Sequence, residues 1–284
     1  MDGRTNTEHV VRYTEQGPVD GGTYLLVHGL GGSLEQWSEI ARQVGRSARV
    51  LAVDVPGFGR SRTATGAFDV GSAAAAIARF CAAKQVRDAV LVSHSVGCVM
   101  AAQVAALAPE RFRRLVFVSG ALVRASDLTQ HPSRALRHPL LGLTVATQFL
   151  AGLIPVPHAL LTAMARSATL RSALLRPFVA DPRALAGDLL VETLTGAGSP
   201  AVLRVLFTAK AIAYDTMLRS VRQPVDLITG DSDRLITDED RRLLRGLVDV
   251  HRDEVIAGCG HWPWLEHPAE LATLLIRSGL DDDV

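Results

Sequence analysis

The stretch LVSHSVGCVMAAQVA, residues 91–105, joins an apolar run typical of a strand to an Ala-rich run typical of a helix. Ser95 stands at the junction, between the small residues Ser93 and Gly97. A sharp strand-to-helix turn strains its central residue, so the neighbours two positions away must be small. The pattern predicts a nucleophile elbow with Ser95 as the nucleophile. A serine that only caps its helix is the alternative interpretation.

Short aliphatic runs recur along the chain between segments with helical spacing. Six of them are candidate strands that end at Gly, Ser or Asp: YLLVHG from Tyr24, RVLAVD from Arg49, AVLVSHS from Ala89, RLVFVSG from Arg114, VDLITGD from Val225 and VHRDEVIAG from Val250. This alternation predicts an α/β fold, a mostly parallel, twisted sheet of about eight strands flanked by helices. Ligands bind beyond the carboxyl ends of such strands, so functional residues are expected at those endings.

A long segment without strand character separates the fourth candidate strand from the fifth, and it is too long for one crossover helix. Residues 122–200 are rich in Ala, Leu and Arg with scattered prolines, which predicts an inserted helical cap. Residues 1–121 and 201–284 would then form the core, with residues 201–221 as the helix that returns to the sheet. The most apolar stretch, residues 140–157, contains polar residues and ends in Pro-x-Pro, so a lid helix is favoured over a membrane anchor.

The bulk composition is that of an ordinary globular protein, with 48% apolar and 21% charged residues among 284. A formal net charge of +1 provides no long-range field for nucleic acid or an anionic membrane, so a small-molecule substrate is the expected partner. Three cysteines without metal-like spacing and an opening stretch unlike a signal peptide favour a cytoplasmic location. The oligomeric state stays open.

A nucleophilic serine needs a base, and the base needs a carboxylate that fixes its tautomer. Both residue types follow later strands. LITGDSDRLIT places Asp233 in a loop after one strand, and VIAGCGHWPWLEHP places His261 after the last. Asp231 is the alternative acid, although a loop aspartate is more often a turn former. The chain order Ser, Asp, His matches the hydrolase pattern.

These motifs resemble the α/β-hydrolase superfamily, particularly its small capped members. HGLGGSLEQW resembles the family's oxyanion loop, which implies that the backbone N–H groups of Leu30 and Val96 bind the oxyanion. DVPGFGRS, residues 54–61, is similar to the family's D-x-P-G-x-G-x-S loop, which shapes the rim of the site. The match of Asp233 to the G-x-x-D pattern favours it over Asp231 as the acid. The ending GHWP supports His261 as the base.

Four further residues are expected to line the substrate pocket: His28, Gly29, His94 and Trp262. His28 is predicted to brace the oxyanion loop, and His94 to pack within the elbow. The tryptophans Trp37, Trp262 and Trp264 follow catalytic loops, where wedging those loops is the safer interpretation. No metal, nucleotide or other cofactor motif occurs, so no cofactor and no metal site are predicted.

The predicted activity is hydrolysis of an ester, lactone or thioester, or of a C–C bond, in a small and largely apolar substrate through an acyl-enzyme. Serine at the elbow disfavours the haloalkane dehalogenases and epoxide hydrolases of this fold, which carry Asp there. The triad leaves other chemistry open, because lyases, cofactor-free oxygenases or perhydrolases and biosynthetic cyclases share the fold. A ligand-binding receptor is a less favoured alternative.

Overall fold

A seven-stranded sheet runs through the centre of the molecule. The computed structural model describes residues 11–61, 69–120, 123–136, 139–209 and 214–280. The strands are β1 Tyr13–Gln16, β2 Thr23–Val27, β3 Arg49–Val53, β4 Ala89–His94, β5 Phe112–Val118, β6 Val225–Gly230 and β7 Val250–Ile256. Their order across the sheet is β1-β3-β2-β4-β5-β6-β7. β1 pairs antiparallel with β3, and every other neighbouring pair is parallel.

The α/β architecture is therefore confirmed, and all six predicted strands are present. The described residues hold seven strands where about eight were expected. β1, with the sequence YTEQ, was not predicted, because it is a short edge strand with two exposed residues in four. An edge strand needs no apolar run, since only one of its sides is paired and solvent covers the other.

Helices cover both faces of the sheet. Those of the first half are α1 Ser38–Val44, α2 Val70–Ala83 and α3 Gly97–Leu107, and those after β6 are α11 Asp238–Arg245, α12 Pro263–Glu266 and α13 Pro268–Gly279. Adjacent residues of β2 contribute to different cores: Leu25 packs in the cluster that includes α2 and α3, and Leu26 in the cluster that includes α1 and α13. Successive side chains of a strand point to opposite faces, so this sheet is buried on both sides.

Between β5 and β6 the described residues form helices and no strand, as predicted. These are α4 Val123–Gln130, α5 Pro139–Leu153, α6 His158–Arg166, α7 Ala168–Leu175, α8 Gly187–Leu194, α9 Ala201–Ala209 and α10 Tyr214–Arg219. Short 3-10 helices occur at Leu34–Trp37, Pro109–Arg111 and Pro132–Leu136. We call α4 to α8 the inserted helices; the domain boundaries at 122 and 200 stay a prediction.

Two expectations about these helices are refined by the structure. The segment predicted as one returning helix, residues 201–221, holds two described helices, α9 and α10, and residues 210–213 between them lie outside the described residues. The apolar stretch at residues 140–157 forms α5, which ends ahead of Pro155. In the ranges described above, no helix has both the length and the hydropathy that a membrane span requires.

Candidate active site

Ser95 occupies the turn between β4 and α3 in a left-handed backbone conformation, with φ of +52°. This conformation costs a residue with a side chain about 1–2 kcal/mol, and the surrounding turn has to stabilise it. The Ser95 N–H donates to the Val118 carbonyl at 3.0 Å, which ties the turn to β5. Gly97 lies so close to the His28 carbonyl that a Cβ there would clash. The strained turn and the small neighbours that the sequence predicted are both present.

The loops after β6 and β7 bring the other two predicted residues to Ser95. His261 Nε2 lies 2.9 Å from Ser95 Oγ, and His261 Nδ1 lies 2.8 Å from Asp233 Oδ2. All three side chains are buried. Because a carboxylate only accepts hydrogen bonds, this arrangement assigns the imidazole proton to Nδ1 and leaves Nε2 free to accept the serine proton. The three residues form a continuous chain of hydrogen bonds.

Asp233 is fixed by its own backbone as well as by His261. Its Oδ1 accepts the N–H groups of Leu235 at 2.8 Å and Ile236 at 3.1 Å. Asp231, the alternative acid, is exposed and accepts a hydrogen bond from the Ser232 hydroxyl. The Gly258 N–H and this hydroxyl lower the pKa of Asp231. Asp231 therefore stabilises the turn, and Asp233 is the carboxylate that reaches the histidine.

The loop after β2, residues 28–33, approaches Ser95 from the other side. Leu30 in this loop and Val96 after the serine both line the cavity that contains Ser95 and His261. Among the described residues, neither the Leu30 nor the Val96 N–H donates to a protein acceptor. Two unused amide donors beside a nucleophile have the composition of an oxyanion hole. A turn closed by the Gly32 N–H on the Gly29 carbonyl, at 3.1 Å, shapes this loop.

The cavity at these residues has a volume of about 460 Å³ and extends from Ser95 between the sheet and the inserted helices. Three of the four residues predicted for the pocket, Gly29, His94 and Trp262, line it. Trp264, which was expected only to wedge its loop, lines it too. Among the described residues, no cluster of three or more His, Cys, Asp or Glu is arranged to hold a metal ion.

The sequence model of the alpha/beta hydrolase fold matches residues 24–268, most of the chain. The chain belongs to the alpha/beta hydrolase fold family. This chain is 26% identical over 262 residues to the biotin biosynthesis bifunctional protein BioHC of Teredinibacter turnerae, covering 88% of this chain and 43% of that protein. The chain thus spans less than half the length of that relative.

A second relative is similar in length. The 2-hydroxy-6-oxononadienedioate/2-hydroxy-6-oxononatrienedioate hydrolase of a Pseudomonas species is 26% identical over 275 residues, covering 89% of this chain and 86% of that enzyme. Among solved structures, the thioesterase domain from the curacin biosynthetic pathway matches with a TM-score of 0.68 at 20% identity, covering 94% of this chain and 93% of that domain. At that identity the structural match supports the fold alone.

His28, predicted to line the pocket, lies instead outside the described wall of the large cavity and faces a smaller one. Both of its ring nitrogens are occupied. Nε2 accepts the Val55 N–H at 3.0 Å, and Nδ1 lies 2.8 Å from the Gly29 carbonyl. Burial lowers the pKa of His28, so the ring stays neutral. The expected role as a brace of the glycine-rich loop fits these contacts.

His94 joins the turn at Ser95 to the loop that carries His261. Its Nε2 lies 2.9 Å from the backbone carbonyl of His261, so Nε2 carries the proton and donates it. Its Nδ1 is buried and has no partner among the described residues. Burial and the neighbouring His261 lower the pKa of His94 well below its usual value. His94 is thus a neutral ring that packs within the elbow and also holds the backbone of His261.

Sequence analysis missed the anchor provided by Asp54. This fully buried carboxylate accepts the Leu34 N–H at 2.7 Å and the Arg60 N–H at 2.8 Å, and it pairs with Arg12 at 3.1 Å. The D-x-P-G-x-G-x-S motif was expected to shape the rim. Its aspartate instead fixes the 3-10 helix that follows the glycine-rich loop. The only signal in the sequence was the position of Asp54 at the end of a predicted strand.

Both loops that flank Ser95 are attached to the inserted segment by close backbone contacts. Gly31, with φ of +66°, lies directly against the backbone of Gly152 in α5, where no side chain fits. A Cβ on Gly260 would lie 2.8 Å from the Phe178 carbonyl oxygen. The His261 N–H donates to that same oxygen at 2.7 Å. The inserted segment therefore helps to position both loops of the site.

Proposed function

We propose that this chain is a serine hydrolase that cleaves a carboxylic ester, lactone or thioester through an acyl-enzyme. The observation that carries the proposal is the hydrogen-bond chain from Ser95 Oγ through His261 to Asp233, buried at the end of an apolar cavity. Membership of the alpha/beta hydrolase fold family supports hydrolase activity.

In the proposed reaction, Ser95 Oγ attacks the carbonyl carbon and its proton passes to His261 Nε2. The Leu30 and Val96 N–H groups stabilise the oxyanion of the tetrahedral intermediate, a contribution of about 3 kcal/mol from each donor. His261 then returns the proton to the leaving oxygen or sulfur, which leaves an ester on Ser95. Water, deprotonated by His261, hydrolyses that ester. Asp233 holds the imidazole tautomer and stabilises the imidazolium through both steps.

Hydrolysis of a dioate is the second candidate, because the Pseudomonas relative named for dioates matches 89% of this chain. A dioate carries two carboxylates, which require cationic or hydrogen-bonding partners when they are buried. The described lining of the cavity contains neither Lys nor Arg. We therefore place the uncharged ester or thioester first. The inserted helices act in either case as the cap over the site.

Intact mass after treatment with a fluorophosphonate probe tests the proposed nucleophile. We expect one adduct on the wild-type chain and none on Ser95→Ala. Ser93→Ala is the matched control, because Ser93 lies in the same turn but bonds to Cys98 and the Val116 carbonyl, and it should retain the adduct. Turnover of an activated ester should fall by roughly four orders of magnitude in Ser95→Ala. An adduct that persists in Ser95→Ala would overturn the assignment.

A further inference from the structure

The wall of the active-site cavity is almost entirely apolar. Of its 33 described lining residues, none is Asp, Glu, Lys or Arg. Polar side chains line the cavity beside the reacting serine at His94, Ser95 and His261, and on α4 at Ser126, which already has an interaction within the protein. Gln36 lines the cavity as well, but its Nε2 is sealed from solvent, as are His94 Nδ1 and Trp264 Nε1. Beyond the reacting carbonyl, the cavity therefore offers a substrate little except hydrophobic contact.

Thr147, a described polar residue of α5 that lines the cavity, is already hydrogen-bonded within its own helix. The Thr147 hydroxyl donates to the Leu143 carbonyl at 2.8 Å, one helical turn earlier. Met164, Leu175 and Phe178 also line the cavity and are buried. Burying the methylenes of a substrate against these side chains is favourable. The same side chains cannot replace the water that solvates a charged group.

The mouth of the cavity is apolar as well. Leu150, Ile154, Leu160 and Leu174 line it and are also among the large hydrophobic side chains that the fold leaves exposed. Leu150 is 60% exposed and Leu160 is 37% exposed. Isolated exposed hydrophobic side chains are normal, but four that border the cavity of Ser95 make its edge apolar where it meets solvent. We call these four residues the apolar rim.

We propose that this site binds one uncharged aliphatic acyl chain, which lies in the cavity with its carbonyl at Ser95 and reaches it across the apolar rim. The inference rests on the proposed function and names its substrate class. The absence of any described charged residue in the wall excludes acyl chains that end in a carboxylate or an ammonium group, because either charge would be desolvated without a partner. Ester and thioester substrates share this acyl chemistry.

A series of p-nitrophenyl esters tests the inference. We expect kcat/KM to rise at least about tenfold from butyrate to octanoate, since each buried methylene contributes up to about fourfold. The p-nitrophenyl half-ester of suberate has the octanoate length with a terminal carboxylate, and its kcat/KM should be at least about a hundredfold lower. Its terminal methyl ester restores neutrality at similar length and should recover most of the loss. A comparison of the turnover of octanoyl-pantetheine with that of octanoyl glycerol then shows whether a thioester or an oxygen ester is the source of the chain.

A variant of the apolar rim and a matched surface variant test whether the preference for longer acyl chains depends on the rim. Leu150→Asp should lower the octanoate-to-acetate ratio of kcat/KM by about tenfold. Leu107→Asp is the control, because Leu107 is 57% exposed at the end of α3 and lies outside the described wall; its ratio should match the wild type. A flat chain-length series, or equal turnover of the suberate half-ester, would overturn the inference. A fluorophosphonate adduct on Ser95 would then still support the proposed function, whereas absence of both adduct and ester turnover would overturn the function itself.

Discussion

Strands β2, β4 and β6 are buried along their whole length, whereas α5 and α6 keep Leu143, Leu150 and Leu160 exposed. The difference corresponds to two tasks. Ser95 follows the carboxyl end of β4 and Asp233 follows that of β6, two strands of one sheet with β5 between them. The inserted helices contribute much of the cavity wall, and in the proposed function the apolar character of this wall matters more than its exact position. On that proposal, the sheet sets the geometry of the reacting groups and the insertion sets the substrate preference.

Among the substitutions that test this difference between the two regions, we expect the largest effect at Asp233. In Asp233→Asn the amide can present its NH2 to His261 and favour the wrong tautomer, so kcat should fall by roughly three to four orders of magnitude with little change in the circular dichroism spectrum. Steady-state kinetics on an activated ester measures this. Asp231→Asn, two residues away on the exposed side of the turn, should stay within a few-fold of the wild type. A severe effect at Asp231 and a mild one at Asp233 would reassign the acid.

A substitution at Gly260 tests the contact between the loop that carries His261 and the inserted segment. In Gly260→Ala the new Cβ meets backbone atoms of Phe178 and Val179 at 2.8 Å, so the histidine loop and the inserted segment must separate. We expect a loss of about 2 kcal/mol in the free energy of unfolding by urea and about a hundredfold loss in kcat/KM, because His261 shifts. Gly22→Ala is the control, since its Cβ would meet nothing closer than 3.8 Å. Unchanged activity in Gly260→Ala would mean that the contact does not position His261.

The smallest expected effect is on the pH dependence of stability. It concerns the sheet region rather than the inserted helices. The pKa values of buried His94 and His28 are both lowered, so below pH 6.5 the unfolded chain takes up protons that the folded chain resists. Stability is therefore full above that pH and falls as the pH decreases, by at most about 1.4 kcal/mol per pH unit for each ring.

Replacing His94 removes its share of this dependence. His94→Gln should show a shallower decrease in the free energy of unfolding between pH 6.5 and 5.5, as measured by urea titrations at each pH. His158→Gln, on the exposed surface of α6, should keep the wild-type slope. An unchanged slope in His94→Gln would mean that His94 takes up its proton in the folded state as readily as in the unfolded chain.

The two regions also differed in how much the sequence could predict. Strands buried on both faces appear as apolar runs, so β4 and its neighbours were evident, and the residues at their ends pointed to Ser95, Asp233 and His261. The structure brings those three together. β1 lacks this apolar pattern because it lies at the edge of the sheet, where only one of its sides pairs with another strand. His28 was misplaced because nothing local indicates that the Val55 N–H would occupy its ring.

Contacts within the insertion were beyond prediction for a different reason. Helical periodicity indicates which residues share a face, but not which partner that face meets. Leu150 and Leu174 lie on different helices, and only their packing over the sheet makes them neighbours of one cavity. The contact of Gly31 with Gly152 joins backbones far apart in the chain, and neither glycine has a side chain to signal it.

That last contact has a consequence for engineering. Because Gly31 and Gly152 meet through backbone alone, exchanging the leucines of α5 and α6 should leave this contact of the loop at residues 28–33 unchanged. The residues of the apolar rim and of the cavity wall can therefore be exchanged to change substrate specificity while the residues around Ser95 stay constant. Directed evolution toward other acyl groups should therefore randomise Leu150, Ile154, Leu160 and Leu174 and leave residues 28–33 and Gly152 constant.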